Sequence, residues 1–88
     1  MEQTLVRTQS EIRKFIVDNF LFGQEDEQLT SNTSLLQSGI IDSTGVLELV
    51  MFVEENYGIK IQDDELLPEN LDSIQNVAEF VNRKQEQL

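Results

Sequence analysis

Apolar residues fall into helical runs separated by polar stretches. Leu5, Ile12, Phe15, Ile16 and Phe20 keep helical spacing, with Glu11, Arg13, Lys14 and Asp18 opposite, which predicts a first amphipathic helix ending near Gly23. Thr8-Gln9-Ser10-Glu11 matches a capping box, but Thr4 before Leu5 caps an earlier start, and the earlier start is preferred. From Gln24 to Ile41 the periodicity lapses into Glu, Asp, Ser, Thr, Asn and Gly, the pattern of a long loop. A connection of that length needs anchors. Leu35, Leu36, Ile40 and Ile41 are the candidates, with Glu25-Asp26-Glu27 as a solvated tip.

The most apolar run follows, at Val46, Leu47, Leu49, Val50, Met51, Phe52 and Val53. That is too many positions for one stripe, so it predicts a central helix contacted from several sides. Asp42 and Ser43 stand where its first turn begins, with side-chain oxygens able to accept from unpaired backbone N–H groups, and Gly58 stands at its end. Ile59-Lys60-Ile61 alternates like a strand but has no partner, so it reads as an extended linker with both isoleucines inward. Asp63-Asp64-Glu65-Leu66-Leu67 predicts a short third helix stopped by Pro68. Asp72 or Ser73 then caps a last helix whose inner face is Ile74, Val77, Ala78 and Val81, with Arg83 and Lys84 in its final turn. The expected fold class is all-α: a bundle of four helices, the third one short.

Eighty-eight residues suit one domain, 1–88, because a chain this small has little core to divide. Seventeen acidic residues against six basic ones leave a net charge of −11. Such a surface repels phosphate backbones and anionic lipid and steers towards basic protein patches, so neither nucleic acid nor membrane is expected as a partner. No apolar run approaches the roughly 18 residues of a membrane span, and a cytoplasmic protein is expected. The chain has no cysteine and no histidine, which removes thiol nucleophiles, the usual general base, the usual zinc ligand and any Ser-His pair. Hydrolase chemistry is excluded on that ground, and no catalytic residue is assigned. Asp63, Asp64, Glu65, Glu69 and Asp72 lack the order of a calcium loop, so no metal site is assigned either.

Ser43 carries two readings. By spacing alone it is a helix cap. Alternatively it is a covalent attachment point, where a phosphodiester would sit beside free N–H groups and the positive end of the helix dipole, with Asp42 holding Mg²⁺ or orienting the hydroxyl. Glu48, Glu54 and Glu55 are either a solvated face or a docking strip for Arg and Lys on partners. Met51 and Phe52 are either core positions or an apolar rim.

Asp42-Ser43 before Val46-Leu47-Glu48-Leu49-Val50, then Glu54-Glu55-Asn56-Tyr57-Gly58-Ile59-Lys60-Ile61, Asp63-Asp64-Glu65 and Asp72-Ser73-Ile74-Gln75-Asn76-Val77, resembles the acyl carrier protein family over nearly the whole chain. The resemblance implies a right-handed bundle of three main helices plus one short helix, and a 4'-phosphopantetheine arm from coenzyme A on Ser43, with Asp42 assisting its installation by a phosphopantetheinyl transferase. It implies a discrete, monomeric, non-catalytic carrier of acyl thioesters, with Thr44, Glu48, Met51, Glu54 and Glu55 meeting acyl or aminoacyl ligases and acyl-transferring enzymes. Two departures stand out: the family usually has Leu or Met where Thr44 stands, and an acidic or polar residue where Gly45 stands. Leu47, Val50, Val53, Ile61 and Leu66 are the expected lining of an inter-helical space for a short acyl chain. The tail Pro68-Glu69-Asn70-Leu71-Asp72-Ser73-Ile74 is also similar to carriers served by adenylate-forming ligases, so an aminoacyl or peptidyl carrier is the alternative. An acidic adaptor with Ser43 as a mere cap is the rival from another class, and a calcium sensor a more distant one.

Overall fold

The computed structural model describes residues 2–24, 27 and 29–87, with side chains from residue 5 onward. Glu25 and Asp26 of the expected acidic tip, and the side chain of Thr4, lie outside the described residues; Glu27 is exposed. The helices are α1 (Glu2–Phe20), α2 (Ser43–Tyr57), α3 (Pro68–Leu71) and α4 (Ile74–Glu86), with a 3-10 turn at Asp63–Glu65 before α3. Among the described residues there is no strand, as expected of an all-α bundle.

α1 starts ahead of both expected caps. Thr8 lies within the helix and is buried, so the capping box there is unused. The helix stops at Phe20 because the chain turns left-handed at Phe22 (φ 57°) and Gly23 (φ 79°), and the Val17 carbonyl accepts from both the Leu21 and the Gly23 N–H.

The centre of the bundle is α4, not α2. α1, α2 and α3 all pack against it. The reason lies in its continuous inner face of Ile74, Val77, Ala78, Phe80 and Val81, all buried, whereas the apolar run of α2 leaves Leu47 and Met51 in solvent at 56% and 59% exposure. Ile12 and Ile16 of α1 and Leu49 and Val53 of α2 complete the core. Both Ile59 and Ile61 point inward, and Gly58 ends α2 in the left-handed conformation (φ 64°), as expected.

Pro68 opens the short helix instead of stopping one. The acidic segment before it makes only the 3-10 turn, and Pro68 takes the first position of α3, where a missing N–H leaves no bond unmade and the fixed φ already suits a helix. Glu65 accepts the Gln62 N–H and pairs with Lys84 at 2.9 Å, which ties this turn to α4. Those two contacts, the backbone bond first, hold its carboxyl below the ordinary range.

The long loop is anchored by Leu35 and Ile41, both 1% exposed, and by Leu29 at 2%, which the sequence pattern did not single out. Leu36 does not serve as an anchor: it is 41% exposed, because in this tight turn Leu35 already fills the inward position. Asp72 pins the turn. Its backbone carbonyl accepts the Leu35 N–H at 2.7 Å, and its carboxylate accepts from the Leu36 N–H and the Ser34 hydroxyl. The loop is thereby laid against α4, and its far end delivers Asp42 to the start of α2.

Candidate functional site

Asp42 has extended backbone (φ −97°, ψ −177°), and its Oδ1 accepts the Gly45 N–H at 2.7 Å. It is therefore the cap of α2, and Ser43 is the first helical residue. The hydroxyl of Ser43 is exposed and, among the described residues, makes no hydrogen bond. The reading of Ser43 as a plain cap is overturned, since the neighbouring carboxylate performs that task. The remaining N–H groups of the first turn have no acceptor within the helix and lie beside this hydroxyl. That is a suitable setting for a phosphodiester, so the residues fit the group that the resemblance implies.

Gly45 shows why this turn can sit where it does. A Cβ at that position would lie 2.8 Å from Cε1 of Phe20 and 2.9 Å from Cγ2 of Ile41. The glycine therefore lets the end of α1 close over the first turn of α2, a role its low helix propensity conceals.

Thr44, Glu48, Met51 and Glu55 are exposed and form one stripe at i, i+4, i+7 and i+11. Leu47 belongs to the same stripe at i+3. It was expected to line an inter-helical space; instead it faces solvent, and the i+4 spacing from Ser43 was the signal for it. Glu54 stands apart from the stripe. It is half-buried, and its carboxylate accepts the Ile61 N–H at 2.9 Å, closing the linker onto α2. Val50, Val53 and Ile61 are buried in the core, with Leu66 packed against it. Phe52 also packs inward, stacked on Phe15 with ring centroids 4.2 Å apart, as core packing predicts, whereas Met51 does not.

At the far end of α2, the Tyr57 hydroxyl donates to Glu11 at 2.7 Å. Burial, and then this bond to a carboxylate, push that hydroxyl above the ordinary phenol range. Tyr57 thus joins α1 to α2 as a neutral donor. The acidic residues considered for calcium are committed elsewhere: Glu65 to Lys84 and Asp72 to the loop. Among the described residues no group of three acidic side chains is placed to hold a metal ion, and no helix is long and apolar enough to cross a membrane.

A helical bundle that holds one free serine hydroxyl at a helix tip, without a base to activate it, defines a protein that is modified by others. The profile of the family described as "Phosphopantetheine attachment site" matches residues 21–81. The chain belongs to that family, and its cofactor is covalent 4'-phosphopantetheine. It is similar to the acyl carrier protein of Akkermansia muciniphila, 31% identical over 77 residues that cover 88% of this chain and 91% of the relative. It is likewise similar to the acyl carrier protein of Zymomonas mobilis subsp. mobilis, 29% identical over 75 residues, 85% of this chain and 91% of the relative.

Proposed function

We propose that Ser43 is the residue that receives the 4'-phosphopantetheine and that residues 1–88 form one carrier domain. The chain is an acyl carrier protein. The observation that carries the assignment of Ser43 is the division of labour at the α2 tip, where Asp42 caps the helix and leaves the adjacent hydroxyl exposed and unbonded. When bound, the arm supplies a terminal thiol for acyl thioesters, which a chain without cysteine otherwise lacks.

Asp42 holds the first turn with Oδ1, so Ser43 is presented in a fixed direction. Its other oxygen remains available to the transferase for Mg²⁺ or for orienting the hydroxyl. Thr44, Glu48, Met51 and Glu55 are the docking face for acyl-handling enzymes, with the carboxylates meeting basic residues and speeding encounter. Glu54 is left out of that face, because its carboxylate holds Ile61. An aminoacyl cargo is not favoured, since the relatives are acyl carriers. Carriers of this kind are non-catalytic, and we assign no catalytic residue to this chain.

Incubation with coenzyme A, Mg²⁺ and a phosphopantetheinyl transferase, followed by intact-mass measurement, tests the assignment. One arm on the native chain and none on Ser43→Ala is the expected result. No arm on the native chain, or the same gain on Ser43→Ala, rejects it.

A further inference from the structure

The seam between α1 and α2 is open along its length. Beside Ser43 lies a depression of about 280 Å³ lined by Asp42, Thr44, Gly45, Phe20 and Glu48. Glu48 also edges the next depression, of about 380 Å³, floored by Phe15 and Phe52 with Asn19 at its side. Phe15, Asn19 and Phe52 recur in the third, of about 390 Å³, which runs on to Asn56 and Tyr57. The three share walls in sequence and form one furrow that starts at the proposed attachment point.

Its chemistry is mixed in an ordered way. The floor is aromatic, with Phe15 stacked on Phe52 and set edge-on to Phe20. On either side stands an asparagine whose Nδ2 is already committed. Asn19 Nδ2 donates to the Phe15 carbonyl and Asn56 Nδ2 to the Phe52 carbonyl, each at 2.8 Å. Among the described residues neither Oδ1 has a partner, so the furrow offers two amide oxygens as acceptors. The opposite flank of α2 is closed: Val50, Val53 and Ile61 are buried, and Glu54 ties down the Ile61 N–H. Placing a chain there means opening a packed core, whereas the furrow is already formed.

We infer that the α1–α2 furrow is the resting place of the pantetheine arm carried on Ser43, with Phe15 and Phe52 beneath it and Asn19 and Asn56 accepting from its two amide N–H groups. The inference rests on attachment at Ser43. At about 1.5 Å of rise per residue, Phe52 lies about 14 Å and Asn56 about 20 Å along α2 from Ser43. An extended arm spans about 18 Å, the reach of about five extended residues, with its first amide about halfway out. That amide comes level with Asn19, and the second passes over Phe52 towards Asn56. The arm is tethered at the mouth of the furrow, so even a weak contact is populated. With polar rims and an open top, the furrow suits the amide-bearing arm itself and leaves the cargo near Tyr57 accessible to acyl-handling enzymes.

The test uses the full chain after loading, with a nitroxide label on the arm thiol; the chain has no cysteine, so the label attaches nowhere else. Intact mass first establishes the loading at Ser43. Paramagnetic broadening in the amide spectrum is then expected to be strongest at the Asn19 and Asn56 side-chain amides and along Phe52–Tyr57, and several-fold weaker at Ile61 and Leu66. The double variant Asn19→Ala and Asn56→Ala, at exposed positions where alanine favours helix, is expected to stay folded and lose most of that contrast. Broadening centred on Ile61 and Leu66, broadening spread evenly, or a contrast unchanged in the double variant overturns the inference while leaving the attachment reading intact. Failure to load at Ser43 rejects the attachment reading, and this inference with it.

Discussion

The chain contains the dipeptide Asp-Ser at two helix starts, and the two are used in opposite ways. At α2, Asp42 is extended and caps, so Ser43 falls inside the helix and its hydroxyl stays in water. At α4, Ser73 is the extended cap: its side chain accepts the Asn76 N–H at 3.0 Å, and the residue is buried at 5% exposure. The register differs by one residue because Asp72 already closes α3. Its N–H bonds the Pro68 carbonyl and its backbone is helical (φ −86°, ψ −1°), which bars it from the extended conformation a cap requires. Its carboxylate is free to hold the loop instead. One serine is therefore structural and the other reactive, through their neighbours and not through any difference in local composition.

The largest expected effect separates the two serines outright. Ser43→Ala abolishes arm attachment and leaves melting almost unchanged, whereas Ser73→Ala keeps attachment and costs about 1 kcal/mol through loss of a cap. Intact mass and denaturant melts on both variants read this, and attachment lost in Ser73→Ala instead would break the comparison.

The two aspartates come next. Asp72→Ala removes acceptors from the Leu36 N–H and the Ser34 hydroxyl, so a loss of about 2 kcal/mol is expected, against about 1 kcal/mol for Asp42→Ala, which removes one cap bond. Equal losses in urea titrations would deny that Asp72 pins the loop.

Gly45→Ala gains about 1 kcal/mol of helix propensity but forces a methyl against Phe20 and Ile41, where overpacking costs about 1–3 kcal/mol. A net loss is expected, eased in the double variant with Phe20→Leu. A stabilised Gly45→Ala would show that α1 does not close on this turn.

Glu48 and Glu54 sharpen the same contrast on the helix face. Glu48→Lys is expected to slow acyl transfer to partner enzymes with melting unchanged, an effect that added salt imitates. Glu54→Lys is expected to lower the melting temperature by releasing the Ile61 N–H. A reversed pattern in paired kinetics and melts would return Glu54 to the docking face.

The smallest effect is one of pH. The Glu65 carboxyl is held below its unfolded value, so its contribution is present above the unfolded carboxylate range and fades as pH falls through the folded value. Glu65→Gln should flatten that part of the acid limb in a melt series. An acid limb identical to that of the native chain would mean that the Lys84 contact is without consequence.

Much of this was readable from residue order. Helical periodicity located α1 and α4, Gly58 marked the end of α2, and Ile59 and Ile61 turned inward as alternation requires. The family pattern around Asp42-Ser43 pointed to the correct cofactor. The misreadings arose where two local rules compete. Pro68 can stop a helix or start one, and a capping box at Thr8-Glu11 is a signal only when the helix does not run through it. Likewise, seven apolar residues in α2 cannot say which of them will find a neighbour.

The order of residues by itself determined an acidic, all-helical carrier without cysteine or histidine, because periodicity, charge and the lack of activating side chains are properties of the chain alone. Only the tertiary structure decided that α4 is the centre, that Leu47 and Met51 face water, and which half of each Asp-Ser pair caps its helix. A capping register depends on the backbone angle at one residue. That angle is set by what the preceding segment must join, here the buried Ile41 on one side and the closing turn of α3 on the other.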